Sequence, residues 1–194
     1  MISKNLAGNR IDLALINALQ KDELDTAILA TPLHEPAIRE EFLYDEEILL
    51  YLQNKHKLTE EERIHPQLLN PEEMWMLTKG NCFRDHVVNL CSLVRDQPIS
   101  NFRYESGSLE TLKRMVDMEG GYTLLPELAI QDMPARELKR IRHFLDPVPM
   151  REVSIVYTRS VVKQPMIRAL KAIILKHLPD EVRASGKGRK VEWR

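Results

Sequence analysis

The sequence lacks the features that mark several common classes of protein. No apolar run is long enough to span a bilayer, and the opening residues, MISKNLAGNR, lack the apolar core of a signal peptide. We therefore expect a cytoplasmic protein that does not contact a membrane. It has only two cysteines, and in the reducing cytosol they are not expected to form a permanent disulfide. Without histidine ligands, two cysteines are also too few for a structural zinc site.

An excess of positive charge is also missing. The 28 basic and 29 acidic residues give a formal net charge of -1, so nothing indicates a nucleic-acid-binding surface. The histidines are scattered, and only His86 lies near the cysteines in sequence. A metal site is therefore only weakly indicated, and we predict neither a metal nor a cofactor. The six histidines are His34, His56, His65, His86, His143 and His177.

The residues that are present describe a soluble globular protein. The 194 residues are 43% apolar and 29% charged, enough for one domain or two small ones. Helical and strand patterns alternate along the chain, which predicts an α/β fold with a mostly parallel sheet. The run 42–53 reads as one long strand or two short ones, interrupted at Asp45 and Glu46, where the chain could cross between two lobes. The Gly-, Lys- and Arg-rich run 184–194 predicts a disordered tail.

The two cysteines lie in one segment that predicts a helix from about residue 83 to 94. Cys82 and Cys91 are nine residues apart, which in a continuous helix is a rise of roughly 13–14 Å. A disulfide needs its Cα atoms within about 7 Å. The cysteines therefore cannot bond while the segment is helical, and disulfide formation would change its conformation.

The two cysteines also differ in their expected surroundings. Cys82 lies where the helix should begin, and a helix N-terminus favours a thiolate. Arg84 and His86 could add positive potential, which Asp85 opposes. Cys91 shares a face that should be buried with Phe83, Val87, Leu90 and Val94. Peroxide could oxidise the first thiol to a sulfenic acid that condenses with the second. Buried cysteines, however, usually serve as small apolar residues, and the pattern alone leaves both readings open.

Several motifs resemble those of a known family. Residues 80–85, GNCFRD, followed by Cys91, resemble the G-H-C-L-R-D…C segment of the OxyR peroxide sensors, a group of LysR-type transcription regulators. Residues 108–112, SLETL, and 122–126, YTLLP, match later motifs of that family. Residues 23–30, ELDTAILA, resemble a strand of LysR-type effector domains in general. The resemblance covers about residues 10–180 in consistent order.

The resemblance implies a two-lobed, Rossmann-like effector domain similar to type 2 periplasmic binding proteins. Lobe I would comprise residues 1–46 and 147–183, and lobe II residues 47–146. Cys82 would be the peroxide-reactive thiol and Cys91 the resolving thiol of a reversible Cys82–Cys91 disulfide. Arg84 and Asp85 would organise the reactive site, with Asn81 standing where the family has a histidine.

The resemblance also implies partners and an overall role. The protein would be a regulator, an activator of transcription under oxidative stress, and not an enzyme. Its domain would form a homodimer, and the full-length protein a tetramer that contacts RNA polymerase. DNA would be bound only through a helix-turn-helix domain that this chain does not contain, and glutaredoxin or a similar reductant would reset the disulfide. By the family pattern, the first strand of the effector domain would also be missing from this chain, and Glu119 stands where a family turn has a glycine.

Two other functions compete with peroxide sensing. An effector domain of the same fold could bind a small metabolite between its lobes, in which case the cysteines are incidental. A thiol peroxidase would need the same chemistry with rapid reduction in every cycle. The two cysteines at the family spacing argue against the metabolite-binding alternative. The sequence has no C-x-x-C motif and no resemblance to a peroxidase fold, which argues against the peroxidase.

Overall fold

The computed structural model describes residues 10–79, 81–92, 104–158, 163–184 and 188–191, and it has mixed α and β structure. Its helices are α1 (Arg10–Gln20), α2 (Cys82–Ser92), α3 (Leu109–Glu119), α4 (Ala135–Leu138), α5 (Gln164–His177) and α6 (Asp180–Ala184). Its strands are β1 (Ala27–Thr31), β2 (Ile38–Leu52), β3 (Arg63–Ile64), β4 (Trp75–Leu77), β5 (Tyr104–Ser106), β6 (Tyr122–Pro126), β7 (Ile141–Phe144), β8 (Pro149–Thr158) and β9 (Arg189–Lys190). Among the described residues, no helix is long and apolar enough to cross a membrane.

The long strand β2 changes its pairing partner partway along. Up to Glu47 it pairs antiparallel with β8, and from Ile48 onwards it pairs antiparallel with β6. Residues 48–52, ILLYL, are apolar without interruption and fully buried, as expected for a strand covered on both faces. We call residues 45–48 of β2 together with residues 149–151 of β8 the crossover, because the two strands separate there.

The expectation of a mostly parallel sheet is wrong for the described strands. β1 and β2 run in the same direction, but β8 lies between them and is antiparallel to both. β6 and β7 are antiparallel to β2 as well. The parallel pairs are short: β3 with β7, β4 with β5 and β8 with β9. The order of elements does not fix strand direction when a late strand inserts between two early ones.

Apolar side chains form separate cores on the two sides of the crossover. The largest core takes its residues from 48–144 and includes Val191. Two smaller cores lie under α1 and α5, and their buried residues come from 16–43 and from 155–167. The lobe boundaries given above stay a prediction.

The tail expected to be disordered contains an ordered strand. β9 pairs with Pro149 and Met150 of β8, and the amide of Val191 donates to the Met150 carbonyl at 2.8 Å. Val191 is buried. A Cβ at Gly188 would lie 2.5 Å from the Val148 carbonyl oxygen, so a glycine allows this close approach. The disorder prediction is therefore wrong for residues 188–191; residues 185–187 and 192–194 lie outside the described residues.

Candidate functional site

The two cysteines lie at opposite ends of one unbroken helix. α2 runs for 11 residues from Cys82 to Ser92. Over nine residues a helix rises about 13–14 Å and turns so that the first and last residues lie on opposite faces, which puts their Cα atoms about 14 Å apart. The structure therefore confirms a helix between the cysteines, and in this form they cannot bond. The side chain of Cys82 lies outside the described part of the chain.

Asn81 sets the point at which this helix begins. Its side-chain oxygen accepts a hydrogen bond from the Phe83 amide at 3.0 Å, and its carbonyl accepts from the Arg84 amide at 3.0 Å. This is the geometry of an N-cap, which satisfies amides that the first helical turn leaves open. Cys82 is consequently the first helical residue. The sequence carried this signal, because asparagine is among the preferred caps, and the helix begins within one residue of the expected start at about residue 83.

Arg84 is nearly buried and connects α2 to the two short parallel strands. Its Nη1 donates to the Leu77 carbonyl of β4 at 2.5 Å and forms an ion pair with Glu105 of β5 at 2.8 Å. Two residues along a helix correspond to about 200°, so Arg84 faces away from the side on which Cys82 lies. These contacts anchor the helix, and a role for Arg84 at the reactive thiol stays a prediction. Asp85, for which a similar role was expected, is half-buried.

Cys91 lies in the protein interior, as its helical face predicts. Its residue is 3% exposed and packs in the largest core with Phe83, Val87 and Leu90. His86, one turn after Cys82, is fully buried as well. Within the described residues, no group of three or more His, Cys, Asp and Glu side chains could hold a metal ion. Val94 lies outside the described residues.

An arginine of the crossover lies against the first turn of α2. The guanidinium carbon of Arg151 is 5.1 Å from the centre of the Phe83 ring. Nε of Arg151 donates to Oε1 of Glu46 at 2.6 Å, and Nη2 contacts the same carboxylate. The other oxygen of Glu46 accepts from the Leu128 amide at 3.2 Å. In the sequence, Glu46 is recognisable only as an interruption in a strand, since its partners Arg151 and Leu128 lie far along the chain.

Three further ionisable groups at and near the crossover have raised pKa values. The carboxylate of Glu47 contacts Nδ1 of His143 at 3.0 Å, and this hydrogen bond raises the pKa of His143. Burial raises the pKa of Glu127, although this carboxylate accepts a hydrogen bond from the Glu47 amide at 3.1 Å. Burial also raises the pKa of Asp45. The crossover is thus a charged, partly buried junction directly beside the cysteine helix.

Comparisons with known proteins agree with this geometry. Residues 10–179 match the family model of the LysR substrate binding domain. A curated relative from Haemophilus influenzae, a hydrogen peroxide-inducible genes activator, is 32% identical over 143 residues, which are 74% of this chain and 47% of the relative. The DNA-binding transcriptional dual regulator OxyR of Escherichia coli is 33% identical over 143 residues, 74% of this chain and 46% of that protein.

A solved structure extends the similarity to three dimensions. The reduced form of the OxyR regulatory domain from Pseudomonas aeruginosa is 31% identical, with a TM-score of 0.73 over 84% of this chain and 78% of that one. The chain spans about half the length of the curated relatives it matches. It therefore corresponds to their regulatory part.

Proposed function

Because the chain belongs to the LysR substrate-binding domain family, we propose that it is the peroxide-sensing regulatory domain of an OxyR-like transcription factor. The observation that carries this proposal is the placement of the cysteines. Cys82 is the first residue of a capped helix, and Cys91 is buried near its other end. A disulfide between them can form only if the helix unwinds, so oxidation would change the conformation of this segment.

The chemistry needs two steps. The thiolate of Cys82, favoured at a helix N-terminus, attacks one oxygen of hydrogen peroxide, breaks the O–O bond and becomes a sulfenic acid. The other oxygen leaves as hydroxide and takes up a proton to form water. The sulfur of Cys91 then attacks the Cys82 sulfur, the S–S bond forms, and a second water leaves. A dithiol reductant such as glutaredoxin returns both thiols.

The change of shape follows from the distances. The Cα atoms must approach from about 14 Å to within about 7 Å. α2 must lose at least part of its helix, because one or both cysteines have to move. Cys91 can move only by leaving the core that it shares with Val87 and Leu90. We place lobe I at residues 1–46 and 147–183 and lobe II, which contains α2, at residues 47–146.

The partners follow from the same family. The domain acts in the cytoplasm as a regulator, without a cofactor and not as an enzyme. It forms a homodimer, and within a full-length protein a tetramer whose helix-turn-helix domains bind DNA and which contacts RNA polymerase. Support comes from the relatives, which are named as peroxide-inducible activators and as a DNA-binding regulator.

The test is to expose reduced protein to a small excess of hydrogen peroxide and follow it by intact mass and peptide mapping. We expect rapid loss of two hydrogens and one Cys82–Cys91 bond, reversed by dithiothreitol. Cys82→Ser and Cys91→Ser should both lose the bond. A sulfenic acid trapped with dimedone should appear only in the variant that keeps Cys82.

The proposal is overturned if folded protein, verified by circular dichroism, keeps both thiols at peroxide concentrations that oxidise no other residue. Binding of a small metabolite, seen as a ligand-dependent rise in melting temperature on screening, would then identify the alternative effector function. If the sulfenic acid forms on Cys91 instead, the roles of the two cysteines are reversed.

A further inference from the structure

Phe83 is the residue next to the reactive cysteine, and it differs from the family segment. The motif G-H-C-L-R-D has leucine at this place, whereas this chain has an aromatic ring. The ring is buried, and the Arg151 guanidinium carbon lies 5.1 Å from its centre. A cation at this distance from a ring is attracted to its face, and arginine is the usual partner. The first turn of α2 is thereby linked to strand β8.

The arginine that faces the ring is held firmly from its other side. Glu46 is fully buried, and its carboxylate binds Arg151 at 2.6 Å and the Leu128 amide at 3.2 Å. Glu46 and Arg151 are also directly paired across β2 and β8. A buried carboxylate is costly without a cation, so this pair should persist in any folded state. The ring of Phe83 is the part of the contact that can leave.

We propose that Phe83 is a positioning residue that couples the helical form of the cysteine segment to the crossover through Arg151 and Glu46. The inference rests on the function proposed above. While α2 is helical, the ring holds the guanidinium in place. When α2 unwinds to form the disulfide, the ring departs, the Arg151–Glu46 pair readjusts, and the change reaches the Leu128 amide. The two lobes thus receive the redox signal at the strands that connect them.

The first test is a double-mutant cycle on the thiol–disulfide equilibrium with glutathione. The variants are Phe83→Leu, Arg151→Gln and the double variant. Leucine keeps an apolar side chain of the family type, and glutamine keeps a hydrogen bond for Glu46. In this proposal the contact exists only in the reduced form. Phe83→Leu should therefore raise the equilibrium constant for disulfide formation, and the increase should be about three- to tenfold larger with Arg151 present than in the Arg151→Gln background. Loss of core packing by Phe83→Leu is common to both backgrounds and cancels.

A second measurement follows the signal to its destination. Hydrogen exchange of the Leu128 amide should accelerate at least about tenfold on oxidation, and in reduced Phe83→Leu it should already exceed the reduced wild-type rate. The Leu112 amide of α3, which donates to the Ser108 carbonyl at 3.1 Å, serves as the matched control and should not change. If Arg151→Gln does not fold, the cycle is repeated in a Glu46→Gln background. Removal of Arg151 there leaves no buried carboxylate at residue 46 without its cation.

The outcomes separate this inference from the proposed function. If the wild type forms no Cys82–Cys91 bond, both fail together. If the bond forms but the effects of the two substitutions on the equilibrium simply add, and the Leu128 amide exchanges equally in both redox states, only the coupling through Phe83 is refuted. Non-additive effects with faster Leu128 exchange on oxidation support it.

Discussion

Replacement of Leu90 by alanine should shift the thiol–disulfide equilibrium toward the disulfide, although it destabilises the folded, reduced protein. Leu90 is 5% exposed and packs in the largest core. It belongs to α2, the helix that has to unwind for the cysteines to bond. A buried Leu→Ala change costs about 2–5 kcal/mol in the form that buries the side chain. If Leu90 leaves the core when Cys82 and Cys91 bond, only the reduced form is destabilised.

The magnitude follows from the lower end of that range. A cost of about 2 kcal/mol on the reduced form alone favours the disulfide by about 30-fold and lowers its reduction potential by about 40 mV. The unfolding free energy of the reduced protein should fall by the same amount, while that of the oxidised protein stays unchanged. The potential is measured by equilibration with glutathione buffers, and the unfolding free energy by urea titration of each form.

A matched control is available on a neighbouring helix. Leu112 is 1% exposed, lies in the same core and belongs to α3. Leu112→Ala should lower the unfolding free energy of both redox forms equally and leave the potential within about 10 mV of the wild type. If Leu90→Ala behaves like this control, Leu90 stays buried after oxidation, and the reasoning that the helix unwinds through it is refuted.

Three further substitutions test other parts of the structure. Asn81→Ala removes the helix cap and should destabilise α2 by about 1 kcal/mol, seen as faster exchange of the Phe83 amide; Asn81→Asp should restore it, and equal behaviour of both variants would contradict the cap. Since the hydrogen bond with Glu47 raises the pKa of His143, its stabilisation is complete below about pH 6.5 and lost as the pH rises through the raised value. The difference in urea stability between wild type and His143→Gln should therefore shrink from pH 6 to pH 9, and a constant difference would refute the assignment. Gly121→Ala should cost at least about 2 kcal/mol, because the residue has φ +83° and a Cβ would lie 2.2 Å from the Glu73 carbonyl oxygen. A glycine with open space at its Cβ, Gly107, is the control, and equal melting temperatures of the two alanine variants would count against this strain.

Local features of the site could be predicted from the sequence. The helix expected at 83–94 is observed at Cys82–Ser92 up to the end of the described segment, and Cys91 is buried as its helical face requires. Periodicity, a helix-starting residue and an apolar face are all properties of neighbouring residues. The YTLLP motif at 122–126 coincides with the buried strand β6.

The long-range contacts could not be predicted in this way. Glu46 and Arg151 are 105 positions apart, and nothing near either residue indicates the other. Arg84 likewise finds Glu105 only because β4 and β5 pair beneath α2. The insertion of β8 between β1 and β2 has the same origin, since it depends on where the chain returns and not on the composition of the strand. These are the contacts that place the charged crossover beside the cysteine helix.

The strand β9 constrains the order in which the protein can be completed during synthesis. Val191 belongs to the largest core, and its amide bonds to Met150, while Lys190 contacts Asp45 at 3.4 Å and also Glu152. Proteins emerge from the ribosome with the N-terminal part first. The crossover therefore lacks its contacts with β9 until residues 188–191 have been synthesised. On translating ribosomes, a nascent chain stalled with residue 191 still inside the exit tunnel should be cleaved by protease near the crossover more readily than the released protein.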